Sequence, residues 1–272
     1  MTFANSQWIA PILRQIVPER FRPIGYLTRL VRNATHCRVR SGPFAGMRYI
    51  DRSISSAYVP KLLGTYEREL VEVIEEVCRL GPELVVDLGA AEGYYAVGLA
   101  LRNPQARVVA FEQQDTGRAA LARMARLNCV ADRIQIYGHC GAIGLQMCLA
   151  SQRDKRPEFT SRPAFVICDV EGDEQHLLDP LVVPGLNTAL ILVETHDFIR
   201  PGTTDELCRR FVATHKVERL WQTSRSPCDF PFRSIGTWLL PRAYLDWAVS
   251  EWRPVRMSWL WMKPRERIPV VA

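Results

Sequence analysis

Apolar and polar positions along this chain fall into two alternating rhythms. From residue 84 to residue 193, short β-branched apolar runs recur between stretches with helical spacing. Such runs suit strands buried on both faces. The first, Leu84-Val85-Val86, ends at Asp87. Gly89 and Gly93 then flank Ala90, Ala91 and Glu92, and apolar residues at 94, 95, 97 and 99 restart at helical spacing. The pattern predicts a second strand at 107–111 ended by Glu112, then a helix at 115–128. A third strand at 133–137 precedes Gly138-His139-Cys140-Gly141 and a helix at 142–150. The polar stretch 151–163 reads as a loop. A fourth strand, 164–168, is ended by Asp169; Asp173 starts a short helix; a fifth strand, 189–193, is ended by Glu194. Strand alternating with helix is the mark of a parallel sheet. Thr203-Thr204-Asp205-Glu206 reads as a capping box before a helix at 203–214. Two last strands are read at 217–222 and 234–240, with no helix between them, so an antiparallel hairpin is open to them.

Upstream, residues 1–35 place Trp8, Ile9, Ile12, Leu13, Ile16 and Val17 at helical spacing, interrupted by Pro11 and Pro18. Residues 37–50 alternate around Gly42-Pro43 and read as a hairpin. Residues 53–64 read as a loop. A helix at 66–80 is expected to be capped by Thr65 and stopped by Gly81-Pro82. The tail, 241–272, reads as a helix and a segment rich in tryptophan (Trp247, Trp252, Trp259, Trp261), for packing or a homodimer contact. The expected division is 1–64 as a basic accessory segment, 65–240 as the central α/β domain and 241–272 as a helical extension.

Apolar residues make up 47% of the 272, enough for a sizeable core. No run of about 18 apolar residues occurs, so no membrane span is expected. Residues 1–23 have no uninterrupted apolar run ahead of a small-residue cleavage site, so no secretory signal is expected either. The eight cysteines form no Cys-x-x-Cys, which speaks against a zinc ribbon or redox dithiol. Reduced thiols in a cytoplasmic protein are the simplest account. Net charge is +6, and residues 1–52 hold nine Arg against Glu19 and Asp51. That basic arm leaves peripheral membrane contact open, while the absence of interleaved aromatics argues against nucleic acid.

Ligands of open α/β sheets bind outside the carboxyl ends of the strands. Four expected strands carry an acid there: Asp87, Glu112, Asp169 and Glu194. Glu112, 25 residues after Asp87, is placed to accept both hydroxyls of a ribose. The turn has Gly-x-x-x-Gly rather than Gly-x-Gly-x-x-Gly, which suits a nucleoside without a pyrophosphate. S-adenosylmethionine is the obvious one, since a sulfonium cation tolerates acidic surroundings. Residues 53–240 carry 20 basic and 24 acidic residues.

The stretches VVDLGAAEGYYAVGLA and VVAFEQQ resemble motifs one and two of class I methyltransferases. FVICDVEGDE, LILVETHD and the upstream LLGTYEREL resemble the FkbM family, over roughly residues 58–200. The resemblance implies a Rossmann-like seven-stranded methyltransferase sheet with helices on both faces, and S-adenosylmethionine as donor. It implies methylation of a hydroxyl on a sugar, a glycan or glycolipid, or a small natural product. Asp87, Gly89 and Gly93, with Ala90 and Tyr94 of the same turn, would shape the methionine end of the donor site. Glu112 would hold the ribose. Gln113 stands where a proline is usual, and His139 is the candidate on the adenine side. Asp169 would sit beside the methyl group, with Glu171, Gly172 and Glu174 completing its motif, and Glu194 and His196 would form the opposite wall. His196 is the candidate base, oriented by Glu194 or Asp169. No metal is assigned. Asp169, Glu171, Glu194 and His196 suit a hard divalent cation, a reading ranked lower because no dense Asp-x-Asp set appears. The alternatives are a nicotinamide-dependent oxidoreductase and a non-catalytic binding protein on the same fold.

Overall fold

The five β-branched runs lie side by side at the centre of one sheet. The structure is a computed structural model that describes residues 23–54, 56–153 and 162–265. The apolar stretch 8–17, most of the loop expected at 151–163, and residues 266–272 lie outside the described residues. The strands are β1 (Leu84–Leu88), β2 (Arg107–Phe111), β3 (Ile134–Tyr137), β4 (Phe165–Cys168), β5 (Leu190–Thr195), β6 (His215–Trp221) and β7 (Ser258–Pro264). Their order is β3-β2-β1-β4-β5-β7-β6. The first five are parallel, and β7 runs antiparallel between β5 and β6. This is the seven-stranded, Rossmann-like sheet that was expected.

Strand periodicity sorts the core into two layers. Leu84, Val86 and Leu88 of β1 face one cluster with Val166, Cys168, Ile191, Val193, Leu260 and Met262. That layer is covered by α6 (Ala142–Arg153), α7 (Glu174–Leu177) and α8 (Thr203–Phe211). Val85, Val108, Ala110, Phe165, Ile167, Leu192, Trp259 and Trp261 face the other cluster. There α3 (Val71–Leu80), α4 (Tyr94–Arg102) and α5 (Asp115–Leu127) pack, joined by α1 (Pro23–Thr35), α2 (Tyr58–Leu63) and the segment between them. Two short helices, α9 (Ile235–Leu239) and α10 (Arg242–Val249), lie between β6 and β7.

The segment before β1 is tied closely to the sheet. A bridge between Arg38 and Arg48 closes the expected hairpin. Gly64 ends α2 at φ +76, where a Cβ would stand 1.9 Å from the Ser41 carbonyl oxygen, so only glycine fits. The buried ring of Phe44 lies over Gly98 of α4 and packs edge-on against Tyr94 and Tyr95, at 5.2 and 5.9 Å.

Several elements differ from expectation. α2 falls in the stretch read as a loop; its Val59, Pro60, Lys61, Leu62 and Leu63 are all buried, so tertiary burial makes this helix rather than an amphipathic pattern. Thr65 caps nothing, because a 3₁₀ turn (Arg68–Leu70) precedes α3; Gly81 does stop α3, at φ +60. Thr203 is inside α8, whose first turn is instead held by the Asp197 carboxylate on Thr204 N–H at 3.1 Å. The stretch 234–240, read as the last strand, is α9: Ser234 and Thr237 exchange capping hydrogen bonds, and Ile235, Trp238 and Leu239 are exposed. The seventh strand is Ser258–Pro264, within the expected tail. Its Trp259 and Trp261 enter one core layer, and Leu260 and Met262 enter the other. An apolar run buried on both faces is a central strand.

Phe44→Ala should cost about 3–5 kcal/mol in urea unfolding. Because Phe44 shares the core of the sheet, the variant should still unfold in one transition followed by fluorescence and circular dichroism. Separate transitions would mark residues 23–64 as an independent unit.

Candidate active site

The carboxyl ends of β1, β2, β4 and β5 open into one cleft of about 610 Å³. Of the residues expected at a site, Asp87, Gly89, Ala90, Tyr94, Glu112, Gln113, His139, Asp169, Glu194 and His196 all line it. Gly93 does not. It precedes α4 at φ +90, and a Cβ there would meet the Leu121 side chain of α5 and Val97 of α4 itself, so its role is to let the start of α4 pack closely against α5.

The turn after β1 is rigid. Gly89 and Ala90 both donate their N–H to the Phe111 carbonyl, at 3.0 and 2.9 Å. A Cβ at Gly89 would lie 1.7 Å from the Asp169 carbonyl oxygen, so the turn sits directly against the end of β4. Ala91 N–H and Gln114 N–H donate to the two oxygens of Glu112, at 2.8 and 2.7 Å. Gly117 leaves room for this carboxylate: a Cβ there would stand 2.6 Å from Glu112 Cγ. Each Glu112 oxygen keeps lone-pair capacity for a ligand hydroxyl. At the far end, Gln113 and His139 are hydrogen-bonded to each other at 3.0 Å. Asp87 is buried, its Oδ2 has no hydrogen-bond partner, and burial pushes its pKa up to about 7.

On the other side, His196 is buried at the end of β5. Its Nδ1 pairs with Glu174 at 2.5 Å, and its Nε2 lies 3.5 Å from Asp169 and 3.4 Å from Glu171. Burial alone would lower the His196 pKa. The Glu174 hydrogen bond and the surrounding carboxylates outweigh it and raise the value. Burial raises the Asp169 pKa, against the pull of His196. Glu174 therefore orients His196, in place of the expected Glu194 or Asp169. Glu194 pairs instead with Arg253, which also binds Glu67 and, at 3.1 Å, Glu251. Burial and Asp169 push the Glu194 carboxyl up, opposed by Arg253.

Two cations lay outside the sequence reading. Lys61 of α2 is 3% exposed and pairs with the fully buried Glu92 at 2.6 Å. Tyr49 and Ser53 donate to the same Glu92 oxygen, each at 2.5 Å. Burial raises the Glu92 pKa, but Lys61 and these donors bring it below the usual value. Arg253 lies next to Trp252, which is half exposed on the cleft rim. No local motif marks either cation in the cleft, since Lys61 meets Glu92 across 31 residues and Arg253 meets Glu194 across 59.

No family model and no curated protein sequence matches the chain. Solved structures do resemble it. The O-methyltransferase TomG from Streptomyces achromogenes, in complex with SAM, is 11% identical over 93% of this chain and 95% of that one, with a TM-score of 0.47. The O-methyltransferase from Bacillus cereus, in complex with SAH, is 9% identical over 95% and 97%, with a TM-score of 0.44. TYW2 from P. horikoshii, in complex with MeSAdo, is 16% identical over 70% of this chain, with a TM-score of 0.39; the chain spans 62% of its length, less than two thirds. At these identities the likeness concerns the fold alone. The chain's own sheet is the seven-stranded arrangement expected from its sequence, with β7 antiparallel inside it.

Since Asp87 binds its proton more tightly folded than unfolded, the stability it contributes is present near pH 4 and lost as pH rises towards about 7. Asp87→Asn should therefore change the melting temperature little at about pH 4 and raise it by several degrees, relative to wild type, at about pH 8. Equal differences at the two pH values would refute the assignment.

Proposed function

We propose that this chain is an S-adenosylmethionine-dependent methyltransferase of FkbM type that methylates a hydroxyl oxygen on a sugar, a glycan or glycolipid, or a small natural product. The observation that carries the reading is the convergence on one cleft of the glycine turn after β1, Glu112 at the end of β2, and Asp169 with His196 at the ends of β4 and β5.

The residues fit the donor. A cleft of this volume suits a nucleoside-sized ligand. Gly89, Ala90 and Asp87 would hold its methionine end, Glu112 its ribose, and Gln113 and His139 would border its adenine. Asp87, Glu112 and Asp169 would repel a pyrophosphate, which disfavours the nicotinamide alternative, yet they tolerate a sulfonium. Bound, the donor supplies an electrophilic methyl group. The chain's own part is positioning, and help for a hydroxyl that is a poor nucleophile while protonated. Glu174 holds His196 by Nδ1, so Nε2 faces the cleft with a lone pair able to receive a proton or bind a cation. Asp169 and His196 stand together on the acceptor side.

S-adenosylhomocysteine should bind the chain and raise its melting temperature, while NAD should do neither; the reverse result would favour the oxidoreductase. Glu112→Ala removes both candidate ribose acceptors and should weaken S-adenosylhomocysteine binding about tenfold or more by calorimetry. His196→Ala should leave that affinity unchanged and slow turnover of an acceptor found by screening hydroxylated sugars and lipids with labelled donor. Undiminished turnover would remove His196 from the chemistry.

A further inference from the structure

On the acceptor side of the cleft, ligand atoms of Asp169, Glu171 and His196 lie within 4.8 Å of one another. The His196 side chain is 3% exposed, and its Nδ1 is taken by Glu174. In the neutral ring, Nδ1 then carries the proton and Nε2 keeps a lone pair. Nε2 lies 3.4 and 3.5 Å from two carboxylates and makes no hydrogen bond among the described residues. Asp169 Oδ1 is likewise buried without a hydrogen-bond partner. The cations of the cleft are committed elsewhere: Lys61 to Glu92, and Arg253 to Glu67, Glu194 and Glu251. Among the described residues, neither Asp169 nor Glu171 forms an ion pair with a lysine or arginine. Among the described residues, two carboxylates thus share a single imidazole and no lysine or arginine, an arrangement that a further cation would stabilise.

We propose that Asp169, Glu171 and His196 Nε2 form a binding site for a divalent cation of the Mg²⁺ or Mn²⁺ type. Two carboxylates and an imidazole make a hard, mixed O/N ligand set for such ions, with the remaining positions open to water or substrate. Adjacent ligands around an octahedral ion at about 2.1 Å stand about 3 Å apart, close to the observed 3.4 and 3.5 Å. Glu174 is the positioning residue: it fixes the tautomer that leaves Nε2 free, as partners of metal-binding histidines do. A cation held here lowers the pKa of a hydroxyl bound to it, so the proton is lost to solvent while His196 stays a ligand. This chemical role rests on the methyl-transfer reading; the cation site does not.

The test is a Mn²⁺ titration of the full chain without donor, read by the electron paramagnetic resonance signal of free Mn²⁺. Calorimetry with S-adenosylhomocysteine in EDTA is run on the same preparation. Saturable Mn²⁺ binding, displaced by excess Mg²⁺, is expected. Asp169→Asn, Glu171→Gln and His196→Ala should each weaken it about tenfold or more, and Glu174→Gln should weaken it about 10- to 100-fold. The Glu171 side chain is 73% exposed, so Glu171→Gln keeps the fold and the test valid even where another variant misfolds. Glu112→Ala should lose S-adenosylhomocysteine and keep Mn²⁺. The cation site is overturned if wild type shows no saturable Mn²⁺ binding, or if folded Glu171→Gln and His196→Ala bind it as wild type does. Mn²⁺ binding without S-adenosylhomocysteine binding upholds the site and overturns the methyl-transfer reading instead.

Discussion

A buried carboxylate is expensive unless a cation or hydrogen-bond donors meet it, and this sheet ends in carboxylates. Asp87, Asp169 and Glu194 close three adjacent strands, and Glu92 is buried in the turn behind the first. The rest of the structure answers that constraint. Lys61 reaches Glu92 from the segment before β1, together with Tyr49 and Ser53. Arg253 reaches Glu194 and Glu67 from the loop before β7. Removing one partner of a buried pair leaves the other charge uncompensated, at a cost of about 3–5 kcal/mol. The flanking segments are therefore fastened to the parallel core by charge as well as by apolar packing.

The two halves of the cleft differ in how their charges are satisfied. In the half that ends β1 and β2, backbone N–H groups hold Glu112, and the Phe111 carbonyl holds the glycine turn. These groups are set before any ligand arrives, which lowers the ordering cost of binding one. In the half that ends β4 and β5, Glu194 is neutralised by Arg253, whereas Asp169 and Glu171 have only His196. In the first half Asp87 keeps one unpartnered oxygen, and in the second Asp169 and Glu171 share a single imidazole.

Much of this was written in local pattern. Runs of Val, Leu and Ile ending in Asp or Glu mark β1, β2, β4 and β5, because a strand buried on both faces must be apolar until it emerges at the ligand edge. Ten of the expected site residues line the cleft for the same reason. The errors lie where local pattern has two readings. Residues 234–240 have the composition of a strand, yet Ser234 and Thr237 cap a short helix there. Residues 258–264 looked like an aromatic tail, yet supply the strand that fills the gap between β5 and β6. Gly93 shares a motif with Gly89 but faces the core.

By itself the sequence determined the parallel sheet, the glycine turn and the row of acids along its carboxyl edge. Each of these depends on residues a few positions apart, and the alternation of side chains along a strand fixes which face they take. Only the tertiary structure decided which charge meets which. Glu174, rather than Glu194, holds His196; Arg253 claims Glu194; Lys61 crosses 31 residues to Glu92; and Asp169, Glu171 and His196 are left facing one another. The strength of an ion pair depends on distance and burial rather than on sequence separation, so those partners were set when the chain folded and not by any motif along it.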